Sequence, residues 1–260
     1  MADLEYQVTD GIATIRLNRP KRKNAFTLDM VDAWAGALAE ARSDTDVRVV
    51  VLTGAGDAFC AGVDLDDFNG ARTSVLADKE VLTDRVHRVA LVLEDLDKPV
   101  LAAVNGVAVG AGMDMALMCD IRFAARSARF SEGYVRVGLV PGDGGCYYLP
   151  RLVGTAKALE LLWTGDFVDA EEALRIGIVS HVHADADLLS EVYAFARRLA
   201  AGPPVAIRLI KRAVRQGQGS DLRSALDLIS SHQAIVQSTR DSREAYTAFR
   251  EKRDPIFEGR

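Results

Sequence analysis

The sequence is poor in cysteine and in charge of one sign. Three cysteines, Cys60, Cys119 and Cys146, stand in apolar contexts, too few for a disulfide framework or a zinc site. A reduced, cytoplasmic setting fits. A net charge of −5 in 260 residues leaves no basic field for nucleic acid. No apolar run reaches the roughly 18 residues of a membrane span. The opening MADLEYQVTDG has no basic start followed by an apolar run, so no signal peptide is read there. The G-x-S-x-G motif of serine hydrolases is missing, as is any low-complexity segment. What is present, 49% hydrophobic and 27% charged residues, is ordinary for a globular chain that buries one large core, with or without an appendage.

The chain is organised around 99–120, PVLAAVNGVAVGAGMDMALMCD. Val100 to Val104 reads as a buried strand, broken by Asn105-Gly106. Gly106, Gly110 and Gly112 let backbone come close to a ligand, and Met113 to Met118 suit a buried helix. A helix start carries unpaired N–H groups and partial positive charge, which suits a developing oxyanion. Asp114 stands one turn in, the one acid between Asp97 and Asp120. It can be a core carboxylate that caps or pairs, or a catalytic acid or base of perturbed pKa. A dinucleotide loop fits poorly, because the third glycine and a later strand-end acid are absent.

Along the chain, 4–8 and 11–17 alternate as paired strands with Thr9-Asp10-Gly11 as the turn. The cations of 19–23 are either a solvated loop or a phosphate site. Thr27 caps a helix to about Arg42, and Val47 to Leu52 is a second buried strand. The small-residue loop 54–65 repeats the design at 99–112, so two loops could each offer an N–H to an oxyanion. Residues 69–78 are polar and read as mobile; a helix follows over 79–95, then a strand over 121–125. Segment 128–145 holds Glu132, Tyr134 and Asp143, the last in a Pro-Gly-Asp-Gly-Gly loop where an Asx-type turn competes with a catalytic role. Thr155 reads as the cap of a helix to Trp163, and Asp169 with Glu172 opens another that Gly177 stops. Ile178 to Val182 is a last strand, and His181 and His183 lack companions at metal-ligand spacing. From 184 the pattern is purely helical, over 184–201, 203–216, 221–238 and 241–253. That sets a boundary between a core of 1–183 and a helical region of 184–260 whose apolar positions need a surface to pack on.

Five stretches carry a family resemblance: LNRPKRKNAF at 17–26, GAGDAFCAGVDL at 54–65, KPVLAAVNGVAVGAGMDMALMCDIRFAA at 98–125, VGLVPGDGG at 137–145 and AFREKRDPIF at 248–257. Through them the chain resembles the crotonase superfamily, the enoyl-CoA hydratase/isomerase family, over essentially its whole length. The resemblance implies an α/β spiral of ββα repeats followed by a helical trimerisation region. It implies a coenzyme A thioester as substrate, no permanently bound cofactor, and a homotrimer or dimer of trimers, with no nucleic-acid or membrane partner. Carried over by position, the N–H groups of Val63 and Ala111 would form the oxyanion hole. The Ala61 carbonyl would meet the adenine, and Val63, Asp64, Leu65 and Asp66 would line the acyl-thioester, with Gly110 beside it. Lys21, Arg22, Lys23 and Ala25 would lie along the nucleotide, and Lys252 would reach the phosphates of a neighbouring subunit's ligand. Residues 66–80 would shape the acyl pocket.

The resemblance also has departures. The two glutamates of family hydratases fall on Asp114 and Tyr134, and a tyrosine with a pKa near 10 is a poor base for water. Dienoyl-CoA isomerases are similar at the first position, where they carry aspartate. Several isomerases place an acid in the loop of Asp143, one residue offset, and dehalogenases and naphthoyl-CoA synthases use aspartates in this region. The expectation is an acyl-CoA enzyme that shifts a proton or double bond through a thioester enolate, with Asp114, Asp143 and Tyr134 as its proton machinery. Water addition, hydrolysis or dehalogenation with Asp143 as nucleophile, and a non-catalytic acyl-CoA-binding role are the alternatives.

Overall fold

A computed structural model describes residues 2–69 and 74–260. Its ten strands form two sheets. The larger one is built from β1 (Leu4–Thr9), β2 (Ile12–Leu17), β3 (Val49–Gly54), β5 (Val100–Val104), β7 (Ile121–Ala125) and β10 (His181–His183), adjacent in that order. The hairpin β1–β2 is antiparallel and all later pairs are parallel. The smaller sheet takes β4 (Ala58–Cys60), β6 (Val107–Val109), β8 (Arg129–Ser131) and β9 (Val168–Asp169). Three successive turns, β3–β4, β5–β6 and β7–β8, therefore each lay one strand in the large sheet, round a corner, lay a short strand in the small sheet and leave through a helix. Asn105 ties one corner to the previous turn: its Oδ1 accepts from Gly54 N at 3.1 Å and its Nδ2 donates to Gly56 O at 2.9 Å.

Twelve helices are seen among the described residues: α1 (Leu28–Ser43), α2 (Leu65–Asn69), α3 (Val75–Val81), α4 (His87–Asp95), α5 (Ala111–Leu117), α6 (Gly145–Val153), α7 (Thr155–Thr164), α8 (Ala170–Ile176), α9 (Leu188–Ala200), α10 (Pro204–Gly217), α11 (Leu222–Ser238) and α12 (Arg240–Glu251). Their starts follow from side-chain chemistry. The Thr27 hydroxyl accepts from Met30 N, and the Asp169 carboxylate accepts from Glu172 N at 2.8 Å. α1 buries Met30, Trp34 and Leu38 against the first strands. All five residues of β5 are buried, as expected of a parallel strand covered on both faces. α9 lies across β2, β3, β5, β7 and β10 with Leu188, Val192 and Ala196 buried. α10, α11 and α12 have no buried large apolar side chain and expose Ile210, Leu222, Leu226 and Phe249.

Several sequence expectations are corrected. The glycine-rich stretches 54–65 and 106–112 are not wholly loop: each contains a short strand of the second sheet, β4 and β6. The helix expected from 79 begins at Val75, where the Ser74 hydroxyl accepts from Ala77 N, and a wider i→i+5 turn over Leu82–Val86 separates α3 from α4. Residues 75–78 are thus helical, while 70–73 of the stretch read as mobile lie outside the described residues. Thr155 is the first residue of α7 rather than its cap; Gly154 holds that place. The last strand starts at His181 because the amides of Ile178 and Val179 close α8 by bonding to Ala173 O.

Candidate active site

Two loops meet at the end of the small sheet. Phe26 pairs with the backbone around Val63: Phe26 N donates to Gly62 O, and Asp64 N donates to Phe26 O, each at 2.9 Å. Alternation along the backbone then turns Val63 N–H the other way. Ala111 is the first residue of α5, so its N–H has no intrahelical partner. Among the described residues neither amide has a hydrogen-bond acceptor. The loops touch where only glycine fits. A Cβ on Gly112 would overlap the Cys60 carbonyl, and one on Gly62, at φ +93°, would lie 2.9 Å from Val109 O and 3.6 Å from Ala111 N. The amides at 63 and 111 are therefore neighbours because both chains lack side chains at the crossing.

Beside them lies a cluster of acids. Asp114 is fully buried on α5, one turn from Ala111. Tyr134 stands on the 3₁₀ turn Gly133–Val137, with its ring facing Gly110. Its hydroxyl lies 2.7 Å from Asp114 Oδ2 and 2.6 Å from Asp143 Oδ2. Asp143 is held on the 141–144 loop, whose Gly142 carbonyl is 2.8 Å from His87 Nε2 on α4. A phenol has one proton and cannot donate to both acids at once. One carboxyl must carry a proton of its own and donate to the tyrosine oxygen, or the two repel.

Burial sets the electrostatics. It pushes Asp114 up to about 7, with Asp143 adding repulsion and the Tyr134 hydrogen bond pulling back. Burial also raises Asp143, against the opposing Tyr134 bond and the nearby His87. Tyr134 is held well above the ordinary phenol value by burial and the two acids. It is no base at neutral pH.

A fourth group, named in the sequence without a role, joins them. Glu132 is 1% exposed, and neither of its oxygens has a hydrogen-bond partner. It shares a notch with Asp114 at Gly145: a Cβ added there would collide with Asp114 Oδ1 and approach both Glu132 oxygens at 2.9 Å. Burial, then the Asp114 charge, pushes Glu132 up to about 10. The local signal was an acid directly after the buried Phe130 and Ser131, at a strand end next to glycine. Three acids meet here, yet among the described residues no group of side chains is arranged to hold a metal ion.

Most of the residues proposed to face the nucleotide lie on the 20–25 segment, which pairs with the Val63 loop. Lys21 is exposed on the 3₁₀ turn Pro20–Arg22. Arg22 is engaged by Asp64 at 2.9 Å and by Asp66, and Lys23 by Asp57; with Arg19 on Asp64, three of the four cations of 19–23 are ion-paired. Asp64 is buried and also bound by Arg19 at 2.9 Å; its carboxylate anchors the loop rather than standing free. Ala25 is buried with its carbonyl accepting from Arg19, and Ala61 N donates to Lys23 O. Leu65 is 54% exposed and Asp66 is exposed. Gly110 has φ +52° at the start of α5. Lys252 caps the exposed end of α12, which packs on α11 and not on the acid cluster. In the 66–80 stretch, 70–73 lie outside the described residues.

The spiral of paired strands and helices matches that of crotonase-fold enzymes. The family described as Enoyl-CoA hydratase/isomerase matches residues 7–260, and the chain belongs to it. Among curated proteins it is 39% identical to 1,2-epoxyphenylacetyl-CoA isomerase of Escherichia coli, covering 97% of each chain. It is also 39% identical to short-chain-enoyl-CoA hydratase of Clostridium acetobutylicum, over 93% of this chain and 92% of that one. Among solved structures, an enoyl-CoA hydratase from Bacillus anthracis superposes with a TM-score of 0.95 at 33% identity over the whole of both chains. The chain is thus an enzyme of the lyase or isomerase type within this family.

Proposed function

We propose that the enzyme moves a proton, and with it a double bond, on an enoyl-CoA thioester. The observation that carries this reading is the single Tyr134 hydroxyl set between two buried carboxyls. Isomerisation needs a base at one carbon and an acid at another. A carboxylate takes the α-proton; the C–H electron pair enters the thioester as a dienolate whose oxygen the Val63 and Ala111 amides hold; the second carboxyl returns a proton at the γ-carbon. The double bond moves one position and no atom is gained or lost. Asp114 and Asp143 exchange the two roles, and Tyr134 relays the proton between them. Coenzyme A is part of the substrate, and no resident cofactor is needed.

Water addition is the second reading. The second buried carboxyl beside Asp114, Glu132, favours it, and so does the similarity to a short-chain-enoyl-CoA hydratase. Assaying wild type, Asp114→Asn, Asp143→Asn and the double variant on 2-enoyl- and 3-enoyl-CoA thioesters separates the two. The proposal expects 3-enoyl turnover lost in the double variant; an unimpaired double variant rejects it. Hydration of crotonyl-CoA at about 1–1,000 per second without 3-enoyl turnover selects the hydratase. A covalent acyl-enzyme on Asp143 or binding without turnover would select the hydrolytic and non-catalytic alternatives.

The reading extends to a cytoplasmic homotrimer or dimer of trimers. A groove of about 510 Å³ lined by Met118, Tyr148, Ile207, Ile210, Lys211 and Val214, together with the exposed apolar residues of α11 and α12, supports self-association. The three unpaired cysteines support a reducing compartment. Sedimentation velocity and cell fractionation test these two points.

A further inference from the structure

We propose that Glu132 is a positioning residue that holds a resident proton and donates it to Asp114 Oδ1, keeping Asp114 available as a base. The inference rests on the assignment of Asp114 to proton transfer. Its physical ground is the geometry of the notch. Both oxygens of Glu132 are buried without a partner, and so is Asp114 Oδ1. All three converge on the space that the missing Gly145 side chain leaves open. Asp114 Oδ2 is already taken by Tyr134. The Tyr134 hydroxyl and the Gly145 N–H both favour an ionised Asp114, but the acids beside Glu132 oppose its charge, so a second ionised carboxylate at Glu132 would be a buried, uncompensated charge. A protonated Glu132 resolves both deficits: its O–H needs an acceptor, and Asp114 Oδ1 needs a donor.

The groups around the pair agree. From α5 comes Asp114 itself; from the 3₁₀ turn Tyr134; from the 141–144 loop Asp143; from α6 Cys146, whose thiol burial and Asp114 hold above its ordinary value. None of these is a cation. His87, whose Nε2 lies 2.8 Å from the Gly142 carbonyl, acts on Asp143 and not on Glu132. Glu132 is therefore stabilised as a neutral acid, and burial together with Asp114 keeps it so up to about 10. A neutral donor beside Asp114 favours the ionised aspartate, which lowers its pKa toward neutrality. An apolar residue at 132 would leave Asp114 protonated at neutral pH, and unable to accept a proton from substrate.

The test compares wild type with Glu132→Gln and Glu132→Met. Glutamine keeps a donor toward Asp114 but holds no titratable proton; methionine keeps the volume and removes the donor. Infrared spectra of the ligand-free enzymes at neutral pH are expected to show one protonated-carboxyl C=O band fewer in Glu132→Gln than in wild type. The acid limb of kcat/KM against pH is expected to stay in place for Glu132→Gln and to move up by about one to two pH units for Glu132→Met. Equal protonated-carboxyl bands in wild type and Glu132→Gln overturn the proposal. So does a downward shift of the limb in Glu132→Gln, the sign of a lost negative charge, or an unmoved limb in Glu132→Met. If the methionine variant does not fold, judged by circular dichroism, the glutamine variant and the infrared comparison still decide. The infrared bands need no substrate, so an enzyme without enoyl-CoA turnover defeats the proposed reaction and leaves this test standing.

Discussion

Replacing Tyr134 with phenylalanine removes one oxygen and leaves the ring against Gly110, so the packing is conserved while the shared proton is lost. Of Asp114 Oδ2 and Asp143 Oδ2, now 2.7 and 2.6 Å from the hydroxyl, the ionised one loses its donor and the protonated one its acceptor. A hydrogen bond to a charged group is worth about 1.5–3 kcal/mol, and one pKa unit is about 1.4 kcal/mol. Asp114, held at about 7 in the intact cluster, is thus expected to rise by about one to two units. The direction is upward because the lost bond favoured the charged form. At neutral pH the ionised fraction of Asp114 falls from about one half to between about 1 and 10%, so kcat/KM falls roughly 5- to 50-fold. The assay is a full pH profile of kcat/KM on an enoyl-CoA that the wild type turns over. The loss should shrink as pH rises and the weakened acid ionises. An acid limb at its wild-type position, or a loss independent of pH, would refute the reasoning.

Three further perturbations bear on the same structure. Gly112→Ala puts a methyl into the Cys60 carbonyl and must part the two loops; kcat should fall about 10²- to 10³-fold, as when an oxyanion donor is lost, while coenzyme A affinity measured by calorimetry changes less. Asp114 and Glu132 hold protons in the folded chain that the unfolded chain releases nearer pH 4, so their contribution to stability is full in acid and is lost as pH rises through about 7 and about 10. Urea midpoints should therefore fall over that window, and the fall should flatten in Asp114→Asn and in Glu132→Gln. Asp241, 3% exposed, accepts from Glu258 N and Gly259 N at 2.8 Å each; Asp241→Ala should release the C-terminal tail and lower stability by about 1–3 kcal/mol in urea unfolding.

Much of the frame is written in short-range signals. The turn at Asp10-Gly11, the caps at Thr27 and Asp169, the stop at Gly177 and the buried run of β5 are decided within a few residues, and a reader of the chain finds them. The α/β spiral with its terminal helices was legible as well, through motifs scattered along the whole length. The short strands β4 and β6 were hidden because three-residue strands between glycines carry no period of two to detect. The pairing of the cation run was hidden for a different reason. Arg22 finds Asp64 and Lys23 finds Asp57 only after the corner of the spiral brings distant turns together. Asp114, Tyr134 and Asp143 could each be singled out as isolated polar groups in apolar or glycine-rich surroundings, but not that one hydroxyl stands between two acids. Glu132 could be named but given no role, because Asp114 lies on another turn and nothing local marks its oxygens as unsatisfied.

In the proposed reaction the amides of Val63 and Ala111 hold a thioester oxygen while the Asp114–Tyr134–Asp143 cluster faces the carbon that gives up its proton. A crystal structure with a slowly reacting acyl-CoA bound measures this directly. The carbonyl oxygen is expected about 2.7–3.1 Å from both amides and the α-carbon within reach of an Asp114 or Asp143 oxygen. A bound thioester whose oxygen contacts neither amide, or whose α-carbon points away from all three side chains, would contradict it.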